Sequence, residues 1–157
     1  MKSQLYRNCI TQIESILSEE NDLIAALANV SAILHHTFSF WWTGFYLVKK
    51  ENNQTVLVLG PFQGPVACSR IHMGKGVCGS AWKKNETQIV DDVHKIKNHI
   101  SCNEFSNSEI VVPIVSKDAV VAVLDIDSKN FATFDLTDKK YLEIISNLLS
   151  KKNWATN

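Results

Sequence analysis

Apolar residues recur at helical spacing near both ends of the chain and alternate with polar ones in between. Leu5, Cys9, Ile13 and Ile16 share one face of a helix predicted over about 3–17. A second helix is predicted to start at Asn21 or Asp22 as N-cap, with Leu23, Leu27, Val30 and Leu34 as its apolar stripe. Residues 43–48 and 55–59 read as strands joined by the polar segment 49–54. The Gly/Pro-marked stretch 60–65 reads as a loop, 70–73 as a short strand, 77–84 as a short helix and 88–91 as another strand. A long polar stretch follows at 94–108, of the kind that in a compact domain often serves function. The clearest strand pair is 109–115 with 119–127. A last helix, about 137–151, carries Tyr141, Ile144, Ile145, Leu148 and Leu149 on its apolar face.

This order, without internal repeat or linker, predicts one domain over 1–157 of mixed α/β (α+β) class. Short turns between successive strands imply a central antiparallel sheet. The N- and C-terminal helices would pack on one face, leaving the other to the central loops.

The strand over 119–127 says more. Val120, Ala122, Leu124 and Ile126 make one apolar face; Val121, Val123, Asp125 and Asp127 make the other. If residues 116–118 form a three-residue turn, Val115 faces Ala119 and Glu109 lies opposite Asp125. A five-residue loop gives the same register, whereas a two- or four-residue loop would pair core-facing with pocket-facing positions. Glu109, Asp125 and Asp127 are therefore expected on one face. Such acids can be simply a solvated strand end. Held together away from water, they would instead repel, so that at least one stays protonated and can act as a general acid while another holds a cation.

Charge narrows the class of function. With 16 Lys+Arg against 16 Asp+Glu the formal net charge is zero, which argues against binding to nucleic acid or to a membrane surface by bulk electrostatics. No apolar run approaches the length of a membrane span, and Arg7, Asn8 and Glu14 interrupt any signal-peptide core. The expected location is the cytoplasm. There, four cysteines are more readily core, metal-binding or catalytic residues than disulfide staples.

Cys9 sits on an apolar helix face and reads as a small core residue. Cys68, Cys78 and Cys102 sit in loop-like or glycine-flanked contexts. Zinc is one explanation, with His72, His94 and His99 nearby, but Cys68 and Cys78 are ten residues apart and Cys78 and Cys102 twenty-four, so the usual paired spacing is missing. Gly74-Lys75-Gly76-Val77-Cys78-Gly79 matches G-x-G-x-x-G, yet lacks the strong preceding strand and the acid about 20 residues on that a dinucleotide fold needs. Thiol chemistry remains, requiring a nucleophile, a second thiol and an exposed pocket. Cys102, preceded by His99 and followed by Glu109, is the candidate nucleophile.

The segments Trp42-Thr43-Gly44-Phe45-Tyr46, Leu59-Gly60-Pro61-Phe62-Gln63-Gly64, Ala67-Cys68, Gly74-Lys75-Gly76-Val77-Cys78-Gly79, Asp92-Val93-His94, His99-Ile100-Ser101-Cys102 and Leu124-Asp125-Ile126-Asp127 resemble the free methionine-(R)-sulfoxide reductases, enzymes built on a GAF domain. By motif the resemblance spans about 42–127. Ser101, where a smaller apolar residue is expected, and Trp41 beside Trp42 are small departures. The resemblance implies a GAF-like fold with a ligand pocket on the sheet face away from the helices. It makes Cys102 the catalytic cysteine, Cys68 the main resolving cysteine and Cys78 an additional one. It places Trp42 and Tyr46 around the S-methyl group, and Glu109, Asp125 and Asp127 where sulfoxide and ammonium are handled. The substrate it implies is free L-methionine-(R)-sulfoxide, reduced without metal or organic cofactor and with thioredoxin or another dithiol as external reductant. A homodimer is also implied. The competing function is a non-catalytic GAF-type domain that binds a small molecule or senses redox state, and fold alone does not separate the two.

Overall fold

The computed structural model describes residues 1–97, 102 and 104–155. Two helices, α1 (Lys2–Glu19) and α2 (Leu23–Phe38), precede strands β1 (Trp42–Glu51), β2 (Gln54–Gln63) and β3 (Arg70–Ile71). Helix α3 (Gly76–Lys84), strand β4 (Gln88–Val90) and a 3-10 turn (Val93–Lys95) lead to β5 (Ser108–Ser116), β6 (Ala119–Ser128) and helix α4 (Leu136–Ser150). All strand pairs are antiparallel in one six-stranded sheet of order β3-β2-β1-β6-β5-β4, the arrangement expected from the short turns. Asp22 is the N-cap of α2, accepting from the Ala25 N–H at 2.8 Å. Among the described residues no helix is long and apolar enough to cross a membrane.

The sheet separates two apolar layers. On one side, Phe45, Leu47, Ile110, Val112, Ile114, Ala122, Leu124 and Ile126 pack against α1, α2 and α4 in a cluster of 23 buried residues. On the other, Trp42, Tyr46, Val111 and Val123 join α3 and β3 in a cluster of only 10. At about 1.5–3 kcal/mol per buried large side chain, the helix side carries most of the hydrophobic stabilisation. The smaller layer can therefore hold polar groups without unfolding the domain. It is covered by α3 as well as by loops.

Two registers differ from the sequence expectation. The β5–β6 turn has two residues, Lys117 and Asp118, both with positive φ as a tight hairpin turn requires. A two-residue turn alone would put core-facing residues opposite pocket-facing ones. A bulge between Ile114 and Val115 restores the pattern, with one extra residue, Val121, on β6. Val121 accordingly packs on the helix-side cluster and Val120 on the pocket-side one. From the bulge onward the register is shifted from the expected one, so Glu109 lies opposite Asp127 and Asp125 lies opposite Val111. The second difference is β2, which continues through Gly60-Pro61-Phe62-Gln63 where a loop was expected. A register shift opposite Phe45 gives β2 an extra residue there. Pro61, which has no N–H for the ladder, is tolerated at such a bulge.

Candidate active site

Three strands floor a pocket on the smaller layer. Along one row Trp42 of β1, Asp127 of β6 and Glu109 of β5 lie side by side; along the next, Gly44, Asp125 and Val111. The three carboxylates thus share one face, as the alternation predicted, with Glu109 and Asp127 directly paired and Asp125 one step along the same face. Glu109 and Asp125 are buried, 7% and 6% exposed, and Asp127 is partly buried. The Ser106 hydroxyl donates to Asp127 Oδ1 at 2.5 Å. Asp125 Oδ1 is buried with no hydrogen-bond partner among the described residues, an arrangement that costs free energy unless a ligand completes it.

Burial raises the pKa of all three acids, and their mutual repulsion adds to it for Glu109 and Asp127, which are held well above the usual carboxylate range. At Asp125 burial raises the carboxyl most, the neighbouring Glu109 and Cys78 offset part of it, and the group is pushed up only to about 6. The floor therefore holds on to protons at higher pH than ordinary carboxylates would, so it can offer a proton donor beside an anion.

Aromatic residues form one wall. The Trp42 ring stacks on Phe62 at 5.2 Å between centroids and faces Tyr46 at 6.0 Å. Its indole N–H donates to the Pro65 carbonyl at 3.0 Å, and the Tyr46 hydroxyl donates to the Cys68 carbonyl at 2.9 Å. Burial raises the Tyr46 pKa, so the phenol keeps its proton. Gly44 is what admits the ring: a Cβ there would stand 2.3 Å from Phe62 Cβ and 2.6 Å from the Trp42 ring. Gly44→Ala is therefore expected to displace Trp42, lowering stability by about 1–3 kcal/mol and weakening ligand binding; urea titration and calorimetry of the same variant would measure both.

Cys68 and Cys102 are joined by a disulfide at the pocket, their Cα atoms 5.3 Å apart. Cys78, in the first turn of α3, is buried and free, with its sulfur 4.0 Å from Glu109 Oε1. Burial and the neighbouring Asp125 and Glu109 keep its thiol well above its ordinary pKa. Cys9 is buried in the helix-side layer, next to the Thr37 hydroxyl at 3.3 Å, in agreement with a core role.

The sequence reading missed several lining residues: Val66, Ala67, Ile71, Lys75, Ser106 and the start of α3. Lys75 is the N-cap of α3 but its side chain makes no capping bond, so it leaves the first N–H groups of the helix without the acceptor an N-cap side chain would supply. Helix-start glycines were the available signal for α3, whereas nothing in the sequence marks Ser106. The glycine motif opens α3 after a two-residue antiparallel strand, without the parallel unit of a dinucleotide fold. His72 and His94 do not line the pocket; His94 Nε2 meets Asn107 Oδ1 at 2.9 Å. His99 lies outside the described residues.

The GAF domain model matches residues 21–151. The chain is 51% identical over 148 residues to GAF domain-containing protein A of Dictyostelium discoideum, covering 94% of this chain and 92% of that one. It is 41% identical over 151 residues to the free methionine-R-sulfoxide reductase of Escherichia coli, covering 96% and 89%. The solved free methionine-R-sulfoxide reductase of Neisseria meningitidis, in complex with its substrate, superposes with a TM-score of 0.92 at 48% identity, covering 96% of this chain and 89% of that one.

Proposed function

The chain belongs to the GAF domain family, and we propose that within it this protein is an enzyme that reduces free L-methionine-(R)-sulfoxide to methionine. The observation that carries the reading is the Cys68–Cys102 disulfide beside a cavity floored by three carboxylates, two of them buried and one partly buried. A binding module needs neither a thiol pair nor a proton donor; a sulfoxide reductase needs both.

The Cys102 thiolate attacks the sulfoxide sulfur, forming an Sγ–S bond, while Glu109 or Asp127, whose protons burial holds to higher pH than usual, gives a proton to the oxygen. The oxygen then passes from the substrate sulfur to Sγ as the S–O and Sγ–S bonds break, so methionine leaves as its thioether and Cys102 is left as a sulfenic acid. The Cys68 thiol then displaces that oxygen as water and forms the disulfide. An external dithiol, thioredoxin by the family resemblance, reduces it by exchange. The Tyr46 bond to the Cys68 carbonyl positions the loop that carries the resolving cysteine against the aromatic wall that takes the S-methyl group.

Free amino acid, rather than peptide, suits the two ends of the pocket. The unpartnered Asp125 oxygen accepts the ammonium group, and the uncapped start of α3, with Lys75 beside it, suits the carboxylate. An amide-linked residue offers neither charge and would leave Asp125 unpaired. The protein is read as acting in the cytoplasm and as a homodimer. Turnover with thioredoxin and its reductase, compared between free and N-acetylated methionine-(R)-sulfoxide, tests the function. The free amino acid is expected to be strongly preferred. Equal rates would overturn the assignment of Asp125, and no reduction of the free sulfoxide would leave a ligand-binding or redox-sensing domain.

A further inference from the structure

Cys78, Glu109 and Asp125 come from α3, β5 and β6, and their ligating atoms all lie within 4.8 Å of one another in a buried cluster. No spacing rule could reveal this set, because its members come from three separate elements. The Cys78 sulfur stands 4.0 Å from Glu109 Oε1, against about 3.6 Å for a sulfur and an oxygen on one tetrahedral zinc, from bonds of roughly 2.3 and 2.1 Å. That pair is a few tenths of an ångström wider than a coordinated one, and the remaining separations, within 4.8 Å, would contract on binding. A second observation is independent of that spacing: the buried Asp125 Oδ1 has no hydrogen-bond partner and waits for a positive group.

We infer that Cys78, Glu109 and Asp125 form an inhibitory site for a four-coordinate, borderline-soft divalent cation of the Zn²⁺ or Co²⁺ type. One sulfur and two carboxylate oxygens would leave a fourth position for water, the arrangement of open zinc sites. A hard cation such as Mg²⁺ or Ca²⁺ wants six or more oxygens, which this donor set does not supply. On binding, the Cys78 thiol and any protonated carboxylate lose their protons to solvent, and the metal takes the Asp125 oxygen. The inhibitory half of the inference rests on the reading of Asp125 as the ammonium subsite; the binding half does not.

The disulfide makes the test selective. With Cys68 and Cys102 joined, the only free thiols among the described residues are Cys78 and Cys9, and Cys9 lies in the other layer, on the buried face of α1. Co²⁺ added to the oxidised protein is expected to bind at one equivalent with a thiolate-to-cobalt charge-transfer band. Cys78→Ser should remove the band, and Asp125→Asn should weaken Co²⁺ affinity by at least about tenfold, which carries the test if the serine variant fails to fold. No band, a band that survives Cys78→Ser, or one that needs prior reduction of the disulfide overturns the site. In the reduced enzyme, Zn²⁺ is expected to raise KM for the free sulfoxide and to leave kcat unchanged. Cation binding at Cys78 that does not compete with substrate would overturn the inhibitory half and point at the ammonium assignment instead.

Discussion

Cys102→Ser is expected to abolish reduction of free methionine-(R)-sulfoxide, and Cys68→Ser to release one equivalent of methionine and then stall. A serine hydroxyl is not ionised at neutral pH, so losing the thiolate removes the nucleophile itself; a fall of at least about 10³-fold is expected. In Cys68→Ser the attack on sulfur is intact, because Cys68 acts only after methionine has left. Recycling then falls to Cys78 or to direct attack by the external dithiol. Cys78 is poorly placed for this. It is buried, faces Glu109 and Asp125, and burial together with those acids keeps it a thiol rather than a thiolate. Rapid-quench counting of methionine per enzyme, with mass spectrometry of the trapped sulfenic acid, separates the roles. A Cys68→Ser enzyme that cycles at the wild-type rate would contradict the assignment of Cys68 as resolving residue.

Asp125→Asn is expected to gain stability and lose activity. The Asp125 carboxyl rises from 3.8 to about 6 on folding, chiefly through burial. The native state thus holds the proton more tightly than the unfolded chain does. The associated stability is fully present below the unfolded value and is lost as pH rises through about 6. At neutral pH the loss is about 3 kcal/mol, from 1.36 kcal/mol per unit. Asparagine has the same shape and no charge to bury, so the variant should be the more stable protein at pH 7 and similar to wild type near pH 4. A shallower fall with pH should remain, because Glu109 and Asp127 are raised in the same sense. Removing the partner of a buried ammonium costs about 2–5 kcal/mol of binding, so kcat/KM should drop on the order of 10²–10³-fold. Thermal melts from pH 4 to 8 beside steady-state kinetics test both halves. An Asn variant less stable than wild type at pH 7 would mean that Asp125 is not a buried, uncompensated charge.

Side-chain alternation carried the reading of the acid floor, and backbone irregularity limited it. Period-2 patterning placed Glu109, Asp125 and Asp127 on one face because the opposite face, Ala122, Leu124 and Ile126, is wholly apolar. The pairing of Glu109 with Asp127 was not legible, since it depends on a bulge at Val121 that leaves no mark in a run of valines. Likewise Pro61 pointed to a loop, although a strand accepts proline where its register breaks. Ser106 and the free start of α3 escaped because their roles arise from distant chain segments meeting in space.

The Cys68–Cys102 bond closes a loop of sequence separation 34, and that loop contains β3, β4 and α3, whose first turn forms the wall over the acid floor. Cross-linking a loop of this length removes about 4 kcal/mol of chain entropy from the unfolded state in the simplest treatment. A turnover that makes and breaks this bond therefore alternates the protein between two levels of tethering. In the dithiol state the segment is held by the β3 and β4 ladders and by the smaller apolar layer, and this is the state that must admit an amino acid. In the disulfide state the same wall is fastened at both ends while the enzyme waits for its reductant. Redox chemistry and the mechanical fastening of the binding pocket are thus the same event in this fold.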